Sequence, residues 1–205
     1  MIDGHWQRLG TIARALSVAT ALGGCTVPGM VIGAGATVGV AAVQERGVGN
    51  AARDARIGVE INSALLQKND KLFGETIIDV VEGRVLLTGI LDSEAAKAEA
   101  ERQAWTVAGV KEVVNEIQVG PGRSVGEYAR DKRIGTELRT ALISDARIAD
   151  VNYTTVTVKG VVYLFGIAKD ETELDRVLQH VRTITGVRDV VNHVILKDDR
   201  RRQKA

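Results

Sequence analysis

Apolar residues recur every four positions in two stretches of the chain, first Ile57, Ile61 and Leu65, then Ile134, Leu138 and Leu142. That spacing puts each trio on one helix face and predicts two amphipathic helices. Each is followed by two short β-branched runs, separated by Glu82-Gly83 in the first case and Lys159-Gly160 in the second. Glycine accepts positive φ, so each dipeptide predicts a tight hairpin. A second helix is predicted from near Ser93 and from near Asp170, where Asp170 and Glu173 have capping-box spacing. Gly109 and Gly186 stop these helices, and residues 113–119 and 190–196 read as a last strand.

The two patterns are one pattern used twice. Residues 54–119 and 131–196 align without a gap at a constant offset of 77. Gly83, Val85, Leu87, Gly89 and Ile90 meet Gly160, Val162, Leu164, Gly166 and Ile167, and Val113-Val114-Asn115 meets Val190-Val191-Asn192. Identity at so many fixed positions predicts one fold repeated. The linker runs over residues 120–127, and residues 128–197 hold the second copy.

The hairpin turns also fix which strand residues share a face. In the first copy Ile78, Val80, Val85 and Leu87 face the helices, leaving Asp79, Val81, Arg84, Leu86 and Thr88 as a mixed surface that water tolerates. In the second copy Tyr153, Thr155, Thr157, Val162 and Leu164 face the helices. Val156, Val158, Val161, Tyr163, Phe165 and Ile167 face away. That second face is too apolar to stay open. Its expected cover is the first module, residues 27–43 or a partner; the alternative is a register in which this face is itself the core, with the threonines outside.

The N-terminal part reads as an address. A short apolar run ends in Leu22-Gly23-Gly24-Cys25, which resembles the bacterial lipobox. Ten apolar residues are too few to span a bilayer, so residues 1–24 are expected to be a lipoprotein-type signal peptide. Cys25 is then the lipid-attachment residue, and residues 25–53 form a Gly/Ala-rich tether. The lipobox resemblance implies the outer membrane, because Thr26 follows the cysteine where aspartate would be the inner-membrane retention signal. Gly29/Gly33 and Gly35/Gly39 have small-xxx-small spacing, which suits either a flexible tether or a membrane-inserted segment. Residues 198–205 form a basic tail, expected to be solvated.

Composition removes several function classes. Formal charge is +1 and aromatics are 3%, so neither a basic footprint nor stacking platforms for nucleic acid are present. One cysteine excludes an intramolecular disulfide and any metal site needing two thiolates. No phosphate-loop or metalloprotease motif occurs. His180 and His193 read as surface positions, and Asp54 and Asp131 as carboxylates suited to the positive end of a helix. Neither a catalytic set nor a cofactor or small-molecule substrate is expected.

The order αββαβ resembles the BON (bacterial OsmY and nodulation) module, with Val-x-Leu-x-Gly on the second strand and Gly-Val-x-x-Val-x-Asn entering the third. Together with the lipobox, the chain is similar to the dual-BON lipoproteins of Gram-negative bacteria. The resemblance implies an α+β fold of two tandem modules, each a three-stranded mixed sheet backed by two helices. It also implies a non-catalytic, periplasm-facing outer-membrane lipoprotein that binds anionic phospholipid and supports envelope integrity. The alternatives are an adaptor docking onto an envelope protein partner and a soluble osmotic-stress-type periplasmic protein. The candidate lipid surface is the first helix of the second module, with Tyr128, Arg130, Lys132, Arg133 and Arg139. Basic residues beside an aromatic suit an anionic headgroup. Relatives carry tryptophan at the position that Arg133 takes here, which favours headgroup electrostatics over insertion.

Overall fold

The computed structural model describes residues 47–203. Cys25 and residues 27–43 lie outside the described residues. The first module comprises α1 (Gly47–Lys68), α2 (Asp70–Glu75), β1 (Thr76–Val81), β2 (Arg84–Leu91), α3 (Glu94–Trp105), β3 (Glu112–Asn115) and β4 (Gln118–Val119). The second comprises α4 (Val125–Ser144), a single 3-10 turn (Asp150–Asn152), β5 (Tyr153–Val158), β6 (Val161–Ala168), α5 (Glu171–Thr183) and β7 (Asp189–Leu196). A short α6 (Arg200–Gln203) ends the described chain.

In both sheets the hairpin is antiparallel and the last strand runs parallel to the central one. The predicted last strand of the first module is broken in two, and β4 pairs with the end of β2. The break lets Ile117 turn inward, where it is 1% exposed. The Asn115 side chain accepts the Ile117 N–H at the break. Glu82 and Lys159 both have positive φ, as do the glycines after them. Positive φ at both central residues is what a type I′ two-residue hairpin turn requires.

Each module has a core between its helices and one sheet face. Ile57, Ile61, Leu65, Val85 and Leu87 form the first, with Ile78 and Val80 against it. Ile134, Leu138, Leu142, Tyr153, Val162 and Leu164 form the second. A third core joins the modules: Val81, Leu86 and Ile90 from the first, and Val158, Tyr163, Phe165, Ile167 and Ile195 from the second. The cover of the apolar second face is therefore the first module. The layers run helices, sheet, sheet, helices, so α1 and α4 lie on opposite outer faces. No described helix is long and apolar enough to cross a membrane.

The junction has approximate twofold character. Glu116 and His193 occupy equivalent positions in the two copies, yet His193 Nε2 lies 2.8 Å from Glu116 Oε1. Only groups near a twofold axis meet their own equivalents. His193 and His180 are both partly exposed, 23% and 30%, and each is held by a carboxylate, His193 by Glu116 and His180 by Asp145 at 3.1 Å.

The first module's mixed face is not left to water. Arg84 is 5% exposed and Thr88 fully buried. Arg84 stacks over Phe165 at 4.9 Å, pairs with Glu112 at 2.9 Å and donates to the His193 carbonyl at 3.1 Å. A module-two aromatic thus supplies the surface that makes an arginine acceptable there. Asp79 Oδ2 is buried without a hydrogen-bond partner, and burial pushes its carboxyl up to about 7. The tail is also docked: Arg202 reaches both carboxylate oxygens of Glu82 at 2.8 Å. That bidentate pair ties the end of the chain to the first module's turn.

Candidate functional site: the exposed face of the second module's first helix

Helix α4 starts with a full capping box. The Ser124 hydroxyl accepts the Glu127 N–H at 3.2 Å, and the Glu127 carboxylate accepts the Ser124 N–H at 2.8 Å. The Ser124 N–H and hydroxyl, both donating to the carboxylate, hold the Glu127 carboxyl below its usual range. They also fix the first turn, so Val125 and Tyr128 project outward, 88% and 48% exposed. The Arg123 guanidinium and the Lys132 ammonium each lie 5.3 Å from the Tyr128 ring centroid. An exposed aromatic is thereby held between two cations.

Beneath this surface lies Asp131, 4% exposed. Its carboxylate accepts the N–H groups of Lys159 and Gly160 at 2.9 and 2.8 Å, and Arg123 approaches it at 3.3 Å. In the first module Asp54 accepts the N–H groups of Glu82 and Gly83 at 2.8 and 2.9 Å. Both aspartates were expected to suit helix starts. The helices begin several residues earlier, at Gly47 and Val125, so each aspartate instead clamps a hairpin turn to a helix. The sequence signal available for this was the pairing of Asp54 with Glu82-Gly83 and of Asp131 with Lys159-Gly160 at the same separation.

The basic residues of α4 divide into two sets. Arg133 donates to the Thr185 carbonyl at 2.7 Å and pairs with Glu137 at 2.6 Å. Arg56 does the same with Ala108 and Glu60 in the first module. A residue with the same partners in both copies holds the loop before Gly109 or Gly186. Arg139 sits 3.8 Å from Asp150. Arg130 and Lys132 are exposed and have no ion-pair partner among the described residues. Sequence reasoning missed Val125, because the last linker residues carried no periodic pattern until the capping box placed them on a helix.

No group of three or more His, Cys, Asp or Glu side chains that could hold a metal occurs among the described residues. The site offers cations, an aromatic and an exposed aliphatic side chain, which is chemistry for contact with a surface.

The BON domain model matches residues 53–121 and 130–198. The chain is 41% identical over 151 residues to an Anaplasma centrale protein described as "Uncharacterized protein in gshII 5'region", covering 73% of this chain and 99% of that one. It is 27% identical over 182 residues to the outer membrane lipoprotein DolP of Haemophilus influenzae, covering 88% and 92%. It is also 27% identical over 152 residues to the osmotically-inducible protein Y of Escherichia coli, covering 73% and 76%. Two matched modules, each with the α/β order and turn geometry described above, make this chain a member of the BON-domain family.

Proposed function

We propose that the chain is a non-catalytic envelope protein that binds anionic phospholipid through the outer face of α4. The observation that carries this reading is Tyr128, half exposed between Arg123 and Lys132, with Val125 beside it. An amphipathic ring belongs at a lipid interface, and flanking cations favour phosphate headgroups by about 1 kcal/mol each. Arg130 and Lys132 are the cations with charge to spare. Arg133 and Arg139, already partnered, add to the field without leaving their places. The similarity to an outer membrane lipoprotein supports an outer-membrane, periplasm-facing location with Cys25 as the acylated residue. Intact mass of the membrane-extracted protein checks the anchor: loss of residues 1–24 with added lipid is expected, and an unmodified Met1 start contradicts it.

Liposome flotation of residues 44–205, which contain both cores, tests the binding. The fragment is expected to float with phosphatidylglycerol vesicles and not with phosphatidylcholine. Reversing Arg130 and Lys132 to glutamate lowers the bound fraction by about tenfold or more and removes most of its salt sensitivity, since exposed charges are screened within about 8 Å at physiological salt. Unchanged flotation of that double variant sinks the assignment to α4. Arg133 is left intact because its reversal strips the Thr185 carbonyl of its donor and confounds binding with folding.

A further inference from the structure

One strand position sets the two copies apart. The second module has Val156 there, packed against the core between the sheets, and the first has Asp79. Asp79 pairs across the β1–β2 ladder with Leu86, and residues directly opposite in a ladder share a sheet face. Leu86 is fully buried in the junction core, with Val81 beside it, so Asp79 lies on the face that meets the second module. Strand β1 is at the sheet's edge, and the residue keeps a little exposure. Its Oδ2 atom keeps none and accepts no hydrogen bond from any described group.

A carboxylate buried without a donor is costly, and the neutral acid is tolerated far better. Burial pushes the Asp79 carboxyl up to about 7. The charged and titratable groups around the junction hold partners of their own. On the same sheet, Arg84 lies over Phe165 and pairs with Glu112 at 2.9 Å. From the second module, His193 meets Glu116 at 2.8 Å, and the Tyr163 hydroxyl meets Gln118 at 3.1 Å. From the tail, Arg202 holds Glu82 at 2.8 Å, and Arg201 sits between Asp199 and Glu112. None of them offsets a charge at Asp79, because burial is the one cause acting on it.

We propose that Asp79 is a proton-dependent latch between the modules: its neutral side chain lets the two sheets close, and its ionisation favours their parting. The sign follows from what each state holds. The closed junction keeps Asp79 neutral, whereas parted modules give it to water, where an aspartic acid ionises near its ordinary value of about 3.9. Closure is therefore strongest below about pH 4, weakens as pH rises to about 7 and is level above that. Parting uncovers the apolar face that carries Tyr163 and Phe165. The inference is independent of lipid binding by α4, whose outer face takes no part in the junction.

The test places one thiol in the junction, Val158→Cys with Cys25→Ser in the full chain, and follows its labelling by a water-soluble disulfide reagent. Val158 is fully buried in the junction core, so labelling reports parting. Rates are divided by those of the same chain in denaturant at the same pH, which cancels the thiol's own titration. Parting is expected to rise about tenfold or more between about pH 5 and pH 7 and to level off above. Asp79→Val, which installs the second module's residue, lowers labelling at about pH 7 by about tenfold or more and removes most of the rise. Asp79→Asn, neutral and of the same size, removes the rise as well. Any slope left in Asp79→Val belongs to His193, since histidine changes charge in the same range. A thiol placed instead at Ala100, in the first module's own core, labels more slowly, because the modules part before either unfolds. A rise in Asp79→Val equal to the parent's, or a parent without a rise, overturns the inference. Equal labelling at Ala100 and Val158 overturns it too, because unfolding of the chain is then the event that protons control.

Discussion

Replacing Phe165 by alanine lowers the stability of the chain by about 3–5 kcal/mol, the range for deleting a buried aromatic from a packed core. Phe165 is fully buried and lies between the two sheets. It also carries the Arg84 guanidinium at 4.9 Å, so its loss strips a buried cation of its ring while its partner Glu112 remains. Tyr163→Glu acts at the same junction, where Tyr163 is 3% exposed and its hydroxyl meets Gln118 at 3.1 Å. A carboxylate there faces valine and isoleucine side chains and costs about 3 kcal/mol or more. Urea unfolding followed by circular dichroism checks both. If Phe165→Ala changes stability by less than about 1 kcal/mol, the modules are not joined by this core.

A comparable loss is expected from Asp131→Ala, about 2–4 kcal/mol. The substitution removes the acceptor of two turn N–H groups and the anion that faces Arg123. The N–H of Gly160 then lies buried without a partner, and the turn keeps a non-glycine residue, Lys159, at φ 49 with less to hold it there. Asp131→Asn retains one acceptor oxygen and loses roughly half as much. The same pair of variants at Asp54 provides a second measurement, because the geometry is repeated. Chemical denaturation is the readout, and a loss under about 0.5 kcal/mol for Asp131→Ala refutes the clamp.

Much of this fold could be read from the sequence because its signals are local. The four-residue spacing of Ile57, Ile61 and Leu65 and the glycines at 83 and 160 set elements within a few residues of themselves. Strand parity followed from the turns, so both core faces of the sheets were legible, and so was the need for a cover over Tyr163 and Phe165. What opposes a face is a long-range fact. Nothing near Arg84 signals that Phe165 and the His193 carbonyl await it, so the first module's mixed face read as a wet one. The basic tail failed the same way, because Arg202 finds Glu82 across 120 residues of chain. The candidate site was legible as a list of cations beside Tyr128. Which of them are structural was not, because the carbonyl that occupies Arg133 belongs to Thr185, in the loop after α5.

Opposite outer faces for α1 and α4 make lipid contact a question of which helix meets the vesicle. Hydrogen exchange of residues 44–205, read by mass spectrometry with and without phosphatidylglycerol vesicles, answers it. Added protection from Arg123 through Arg139, strongest in the first turn around Val125 and Tyr128, with α1 unchanged, is the predicted result. Protection gained on α1, or no change in either helix while the protein is vesicle-bound, contradicts a phospholipid surface on the second module's first helix.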